Sequence, residues 1–172
     1  MELHGSIGPA RTTIKGVAER AGVQRATVYR HFADEEALFA ACSAHWYSLN
    51  PLPDPAGWAA IADPDERLRT ALEELYAWYA WGEPMLTNTF RDAPLVPSMR
   101  PVFEGFSGLL ESLAATLLRG RPERGKRRSR VAAAIGHAAA FTTWRSLVRE
   151  GGLSDEDAIA LMLATVAAAA DA

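Results

Sequence analysis

The chain has 172 residues, 49% of them hydrophobic, a net charge of −3 and a single cysteine. That length suits one compact unit or two small ones sharing a core, and the lone Cys42 excludes an intramolecular disulfide and any cysteine-rich zinc site. No signal-peptide pattern opens the chain and no apolar run reaches the length of a membrane span, so a cytoplasmic protein without membrane contact is predicted.

In chain order, Met1 to Gly5 reads as the last turn of a helix, followed by a loop with Gly8 and Pro9. Thr12 sits where an N-cap belongs, ahead of a short run with Ile14, Val17 and Ala18 at i, i+3, i+4. Gly22 supplies the positive φ that ends this helix, and Val23 is expected to point inward. A second short helix follows, with Ala26 expected inside and Gln24, Arg25, Thr27, Tyr29, Arg30 and His31 mostly outside. Asp34 caps a third helix over Glu35 to Tyr47, with Ala37, Leu38, Ala41 and Cys42 on its core side.

Leu49 to Pro55 is a proline-rich break, and Asp63-Pro64 pairs an N-cap with a proline at the first helical position. The helix starting there carries Leu68, Leu72, Leu75 and Tyr79 as one stripe and Trp78 and Trp81 on a second face, with Gly82 as its expected stop. Glu83 to Arg91 reads as a short helix holding Met85, Leu86 and Phe90. A longer helix is predicted over Met99 to Arg119, with Phe103, Phe106, Leu110, Leu113 and Leu117. Arg119 to Arg130 reads as a basic loop, and Ser129 to Glu150 as an Ala-rich helix with Ile135, Phe141, Trp144 and Leu147. Gly151-Gly152 ends it, and Ser154-x-x-Asp157 opens the last helix as a capping-box variant. The fold class is therefore all-α: an N-terminal helix-turn-helix segment over 1–48 with a truncated first helix, then a helical domain over 49–172.

The second short helix carries the most specific chemistry. Its outward face is polar, aromatic and cationic at once, which suits a DNA major groove: Arg can fork onto guanine, Thr can meet a thymine methyl, Tyr can bond a phosphate. From Arg11 to Arg30 five cations stand against Glu19, a local balance of +4 on an acidic chain. A solvated helix in an ordinary bundle is the plain alternative.

The stretch AGVQRATVYRHFADEEAL, with the two threonines ahead of it, resembles the helix-turn-helix signature of the TetR family of transcriptional regulators. The resemblance covers about the first quarter of the chain. It implies DNA contacts from Thr12, Thr13, Gln24, Arg25, Thr27, Tyr29, Arg30 and His31, and a variable all-helical remainder that binds a small molecule and dimerises. Two departures stand out. Most of the family's first helix is missing, so either the start lies upstream or Ile14, Val17 and Leu38 are under-covered; and the cation often found after the His-Phe turn is replaced by Glu35, beside Asp34 and Glu36.

Small-molecule pockets are mostly apolar with a few placed polar groups. The candidates are Trp78, Tyr79, Trp81, Met85, Phe90, Phe103, Phe106, Phe141 and Trp144, with Asn88, Arg91, His137 and Thr142 as polar anchors; plain core packing is the competing reading. Small residues on the last two helices, Ala132 to Ala134, Gly136, Ala138 to Ala140, Ala164 and Ala167 to Ala170, suit a close four-helix interface in a homodimer. No catalytic constellation, metal-ligand spacing or cofactor motif stands out. The expectation is a regulator of a double-stranded DNA operator, a repressor released by a small apolar or aromatic effector; the alternative is a dimeric small-molecule-binding protein with weak or lost DNA binding.

Overall fold

The computed structural model describes residues 1–171. It is helical throughout, with no strand among the described residues. The helices are α1 (Glu2–Ser6), α2 (Ile14–Ala21), α3 (Arg25–His31), α4 (Glu35–Leu49), α5 (Pro55–Ala60), α6 (Pro64–Asp92), α7 (Arg100–Leu117), α8 (Gly125–Ala138), α9 (Phe141–Trp144, continued by a π turn over Arg145–Glu150) and α10 (Asp155–Asp171).

The chain forms two compact units that do not follow a single cut in the sequence. Met1–Pro51 packs with Gly82–Phe106; Leu52–Trp81 packs with the chain from Ser107 onward. The C-terminal third of α6 and the start of α7 therefore belong with the helix-turn-helix.

In the first unit, Ile14, Ala18, Val28 and Leu38 form a buried cluster, flanked by Val17, Phe32 and Cys42. Four local expectations need correction. The α2 cap is Thr13, whose Oγ1 accepts from the Gly16 N–H at 3.0 Å; Thr12 instead donates to the Gly8 carbonyl at 2.8 Å. Val23 and Ala26 are exposed, because the register of α3 turns Val28 inward in their place. Ile14 and Leu38 are buried despite the short α1, whose inward residue is His4, stacked on Phe39 with ring centroids 5.2 Å apart. Gly82 does not stop α6: a Cβ there would meet the Trp46 ring at 3.2 Å, so the glycine serves a close approach inside a continuous helix. Gly22 does take the left-handed conformation, φ 66°, and Asp34 caps α4 by accepting from the Ala37 N–H at 2.8 Å.

In the second unit, Leu68, Leu72, Leu75 and Tyr79 form the buried stripe of α6. Asp63 caps that helix through the N–H groups of Asp65 and Glu66, and these bonds hold its carboxyl below the usual carboxylate range. The proline-rich break resolves into α5, anchored by Trp58, which is fully buried and donates to Glu74 Oε2 at 2.8 Å. The expected basic loop is shorter than its sequence suggests, since α8 begins at Gly125. The helix expected to run to Glu150 breaks at Ala139–Ala140. Two carbonyls freed at that break are taken by tyrosines of α6: Tyr76 Oη donates to Ala138 O at 3.0 Å and Tyr79 Oη to Ala139 O at 2.6 Å.

Losing either hydroxyl strands a buried carbonyl, which costs about 1–3 kcal/mol. Tyr76→Phe and Tyr79→Phe are each expected to lower the unfolding free energy by about that amount, and chemical denaturation reads it directly. Equal stability of both variants and the wild type would refute this role.

Candidate nucleic-acid interface

The recognition surface is built on Val28. Burying that side chain fixes the rotation of α3 and leaves Gln24, Arg25, Tyr29, Arg30 and His31 exposed, with Thr27 half-buried. None of these side chains has a hydrogen bond or ion pair among the described residues, so the face is chemically available. Tyr29 is 50% exposed, unusual for an aromatic unless its hydroxyl has work in solvent or at a partner. The first turn of α3 contains no carboxylate and its N-cap Gln24 makes no side-chain bond.

The local cations divide. Arg20 is ion-paired with Glu2 of α1, and Lys15 lies 3.6 Å from Glu19 on its own helix. Arg11, Arg25 and Arg30 have no ion pair among the described residues. Arg25 and Arg30 are thus unneutralised on one short helix, the arrangement that lets a protein displace counterions from a phosphate backbone, while the Arg11 charge helps hold the buried Asp92 carboxyl below its usual range. Thr13 is exposed at the start of α2, whose first turn also lacks a carboxylate. Asp34 and Glu36 are exposed at the opposite side of the turn, where Asp34 is committed to capping; Glu35 Oε2 accepts a long bond of 3.4 Å from Ser98 Oγ.

What holds this surface was not read from the sequence. The C-terminal end of α6 grips the segment ahead of α2. Asn88 Nδ2 donates to the carbonyls of His4 and Gly5, at 3.1 and 2.9 Å. Asp92 is buried; it accepts from Arg91 and, through Oδ2, from the Ala10 N–H at 2.9 Å. These bonds, the Arg91 one above all, hold the Asp92 carboxyl below the usual range. Gly8 passes this pair with φ 89°, and its carbonyl receives the Thr12 hydroxyl. The chain of contacts from α6 to the α2 cap is continuous. Asn88 and Arg91 had been expected as ligand anchors, but the contacts seen here are structural.

The aromatic candidates separate into three groups. Met85, Phe90, Phe103 and Phe106 line one cavity in the first unit, together with His4, Phe39, Cys42, Trp46, Tyr47 and Met99. Phe90 meets Phe103 and Phe106 edge-on, with ring centroids 5.2 and 5.8 Å apart. Trp78, Tyr79, Phe141 and Trp144 form a packed aromatic cluster in the second unit, with Trp144 Nε1 donating to Asp155 at 2.9 Å. Trp81 is 61% exposed. Of the remaining polar candidates, Thr142 is exposed and His137 Nδ1 lies 3.2 Å from Thr143 Oγ1. The α4 residues of the cavity carried no sequence signal beyond a hydrophobic α4.

The cavity holds about 50 Å³ for water-sized occupants, enough for a few waters and far less than a drug-sized pocket of about 300–1,000 Å³. No Asp, Glu, Lys or Arg lines it. Burial pushes the Tyr47 phenol up to about 12, so it stays neutral. Burial, reinforced by the nearby amino terminus, pulls His4 down from 6.5 to about 4, so its imidazole is neutral at physiological pH. The unfolded chain binds this proton first. Stability is therefore complete above about pH 6.5 and declines as pH falls towards 4. Urea denaturation between pH 7 and 4 (about the range of interest) should show this loss, and His4→Phe, which keeps the stack on Phe39, should flatten it. An unchanged slope in the variant would assign the loss to other groups.

No helix among the described residues is long and apolar enough to cross a membrane. Residues 1–42 match the model for bacterial regulatory proteins, tetR family, a span that contains α1 to α3 and the first half of α4. No curated protein and no solved structure matches the chain. The exposed cationic helix, its glycine turn and that match agree: residues 1–42 are a helix-turn-helix of the tetR-family kind, the DNA-binding segment of a transcriptional regulator.

Proposed function

We propose that this regulator is a repressor, released from its operator by a small uncharged ligand that enters the cavity between α4 and the C-terminal end of α6. The observation that carries this reading is the composition of the cavity wall. Phe39, Cys42, Ser43, Trp46 and Tyr47 all come from α4, the helix directly after the recognition helix. Opposite them are Met85, Leu86, Thr89 and Phe90 of α6. A ligand larger than a few atoms must push these two sets apart. The lining favours an apolar or aromatic molecule: it holds no Asp, Glu, Lys or Arg side chain, and Met85 and Met99 offer thioether chains that can repack around varied shapes.

Release requires that the ligand bind the DNA-incompetent arrangement more tightly than the DNA-bound one. A shift from almost fully bound to almost fully free needs a preference of about 10⁴. Displacing α4 supplies a mechanism, since Leu38 near its start shares a buried cluster with Val28 of the recognition helix.

The active species in this reading is a homodimer through α8 and α10. These helices pack against each other. Ala133 and Gly136 of α8, and Ala160, Leu161, Ala164 and Ala168 of α10, are exposed. Small residues there let a partner's helices approach closely, and a two-fold dimer presents two recognition helices to half-sites about 34 Å apart or a multiple. DNA contacts are assigned to Thr12, Thr13, Gln24, Arg25, Thr27, Tyr29, Arg30 and His31, in the cytoplasm.

A gel-shift titration of the chain's own upstream DNA with apolar and aromatic compounds tests the reading. A compound that releases the DNA should lose potency when Phe103→Ala or Met85→Ala alters the cavity. Release that is indifferent to both variants would remove this cavity from the mechanism. A folded dimer that binds the ligand without binding DNA would favour the second reading, a small-molecule-binding protein, consistent with the carboxylates at Asp34, Glu35 and Glu36.

A further inference from the structure

The connection between α7 and α8 carries charge that the DNA-reading function does not use. Residues 119–130 hold seven cations and one carboxylate, Glu123, on a chain whose net charge is −3. Arg119, Arg121, Arg124 and Arg128 line a single open depression with Gly120 and Pro122; Glu123 does not line it.

Of these four guanidinia only Arg121 has an ion pair, with Asp65 at 2.7 Å. Arg119 reaches the Ala59 carbonyl at 3.3 Å, and Arg124 curls onto the carbonyls of residues 121–123. Arg128 has no side-chain partner among the described residues. Asp65 offsets the Arg121 charge from outside the wall, and the other three like charges at the depression repel without an ion pair among the described residues.

The start of α8 points the same way. Its N-cap, Arg124, makes no side-chain cap bond, and the first turn has no carboxylate but carries Lys126, Arg127 and Arg128. Cations at a helix N-terminus oppose the macrodipole, whereas an anion there is stabilised by both the backbone N–H groups and the dipole. Independently, Arg121 is 7% exposed and its Nε has no acceptor, although the side chain lines the depression. A buried guanidinium N–H without a protein acceptor leaves a donor that an anion's oxygen can satisfy.

We propose that this depression is a binding site for a small phosphate-bearing anion with at least two negative charges. Guanidinium forks match phosphate oxygens in geometry and charge. The four arginines surround one concavity instead of tracking along a stripe, which fits a compact ligand better than a nucleic-acid backbone. The site lies in the second unit, and none of its lining residues belongs to the recognition helix or lines the apolar cavity.

Calorimetric titration of the full chain with pyrophosphate, at constant ionic strength, tests this. Saturable binding with one site per chain is expected. The exposed-side-chain double variant Arg119→Gln/Arg128→Gln should weaken it by about tenfold or more. Arg69→Gln, at an exposed cation that does not line the depression, should not. Circular dichroism of the double variant should match the wild type, as both side chains are solvent-facing. No saturable heat, or equal affinity in the double variant, would overturn the proposal. A random-sequence duplex that displaces pyrophosphate and loses affinity in the double variant would also overturn it, assigning the depression to nucleic-acid backbone.

Discussion

Replacing Gly8 by alanine should destabilise the protein by about 3 kcal/mol and weaken DNA binding with it. Gly8 has φ 89° and ψ 157°, a region reserved in practice for glycine, and this alone costs about 1–3 kcal/mol for a side chain. A Cβ there would also overlap Arg91 Nη2 and Asp92 Oδ2. Relief requires Asp92 to move, which surrenders its bond to the Ala10 N–H. The Gly8 carbonyl then shifts, and with it the Thr12 hydroxyl and the Thr13 cap of α2. A thermal midpoint lower by roughly 6–12 °C is expected for a chain of this size. Gly57→Ala is the control, because nothing lies within 4 Å of its added Cβ. A Gly8→Ala protein as stable as wild type would show that the grip of α6 on the N-terminal segment is loose.

An effect of comparable or larger size is expected at Arg67 of the second unit. This guanidinium is 4% exposed and makes no ion pair. Its hydrogen-bond acceptors are all backbone carbonyls: Ile61 at 3.0 and 2.7 Å, Ala62 at 3.2 Å, Arg119 at 2.6 Å and Thr116 at 3.4 Å. Thr116 lies in the last turn of α7 and Arg119 two residues past its end, where unsatisfied carbonyls and the negative end of the helix dipole accommodate a cation. Arg67→Met keeps most of the volume but strands several of these acceptors at about 1–3 kcal/mol for each that stays unsatisfied, and a loss of about 3 kcal/mol or more is expected. Arg67→Lys should recover little, since one ammonium cannot span acceptors that a planar fork reaches together. Recovery to near wild-type stability by Lys would mean that charge alone, not the fork, holds the α7 end.

The helix-turn-helix was legible because its signals are local. Gly22 and Asp34 act on their own neighbours, and both behave as the sequence implies. The errors there are shifts of one or two residues: Thr13 for Thr12, Val28 for Ala26. Elsewhere the deciding groups are distant in sequence. Ala138 to Ala140 give no local reason to break a helix, and the break is matched by hydroxyls some 60 residues earlier, at Tyr76 and Tyr79. Gly82 looked like a stop because nothing nearby reveals that Trp46 needs the space. The aromatic candidates illustrate the same limit. Composition identifies these eight aromatics and Met85, but only packing separates the four that line a cavity from the four that fill a core and from the exposed Trp81. His4 carries no sequence signal, because a first helix of five residues is too short to show a pattern.

The most direct measurement is fluorescence anisotropy of the chain's own upstream duplex, titrated with wild type and with Arg25→Ala/Arg30→Ala across a range of salt. Both arginines are exposed and lack ion pairs within the described chain, so the variant should fold normally. The wild type is expected to bind more tightly as salt falls. The variant should bind at least about 100-fold more weakly, with a salt slope shallower by about 1.8 if both residues meet phosphate. A folded wild-type dimer that fails to bind at low salt, or a variant that binds as well as wild type, would contradict α3 as the DNA-reading helix.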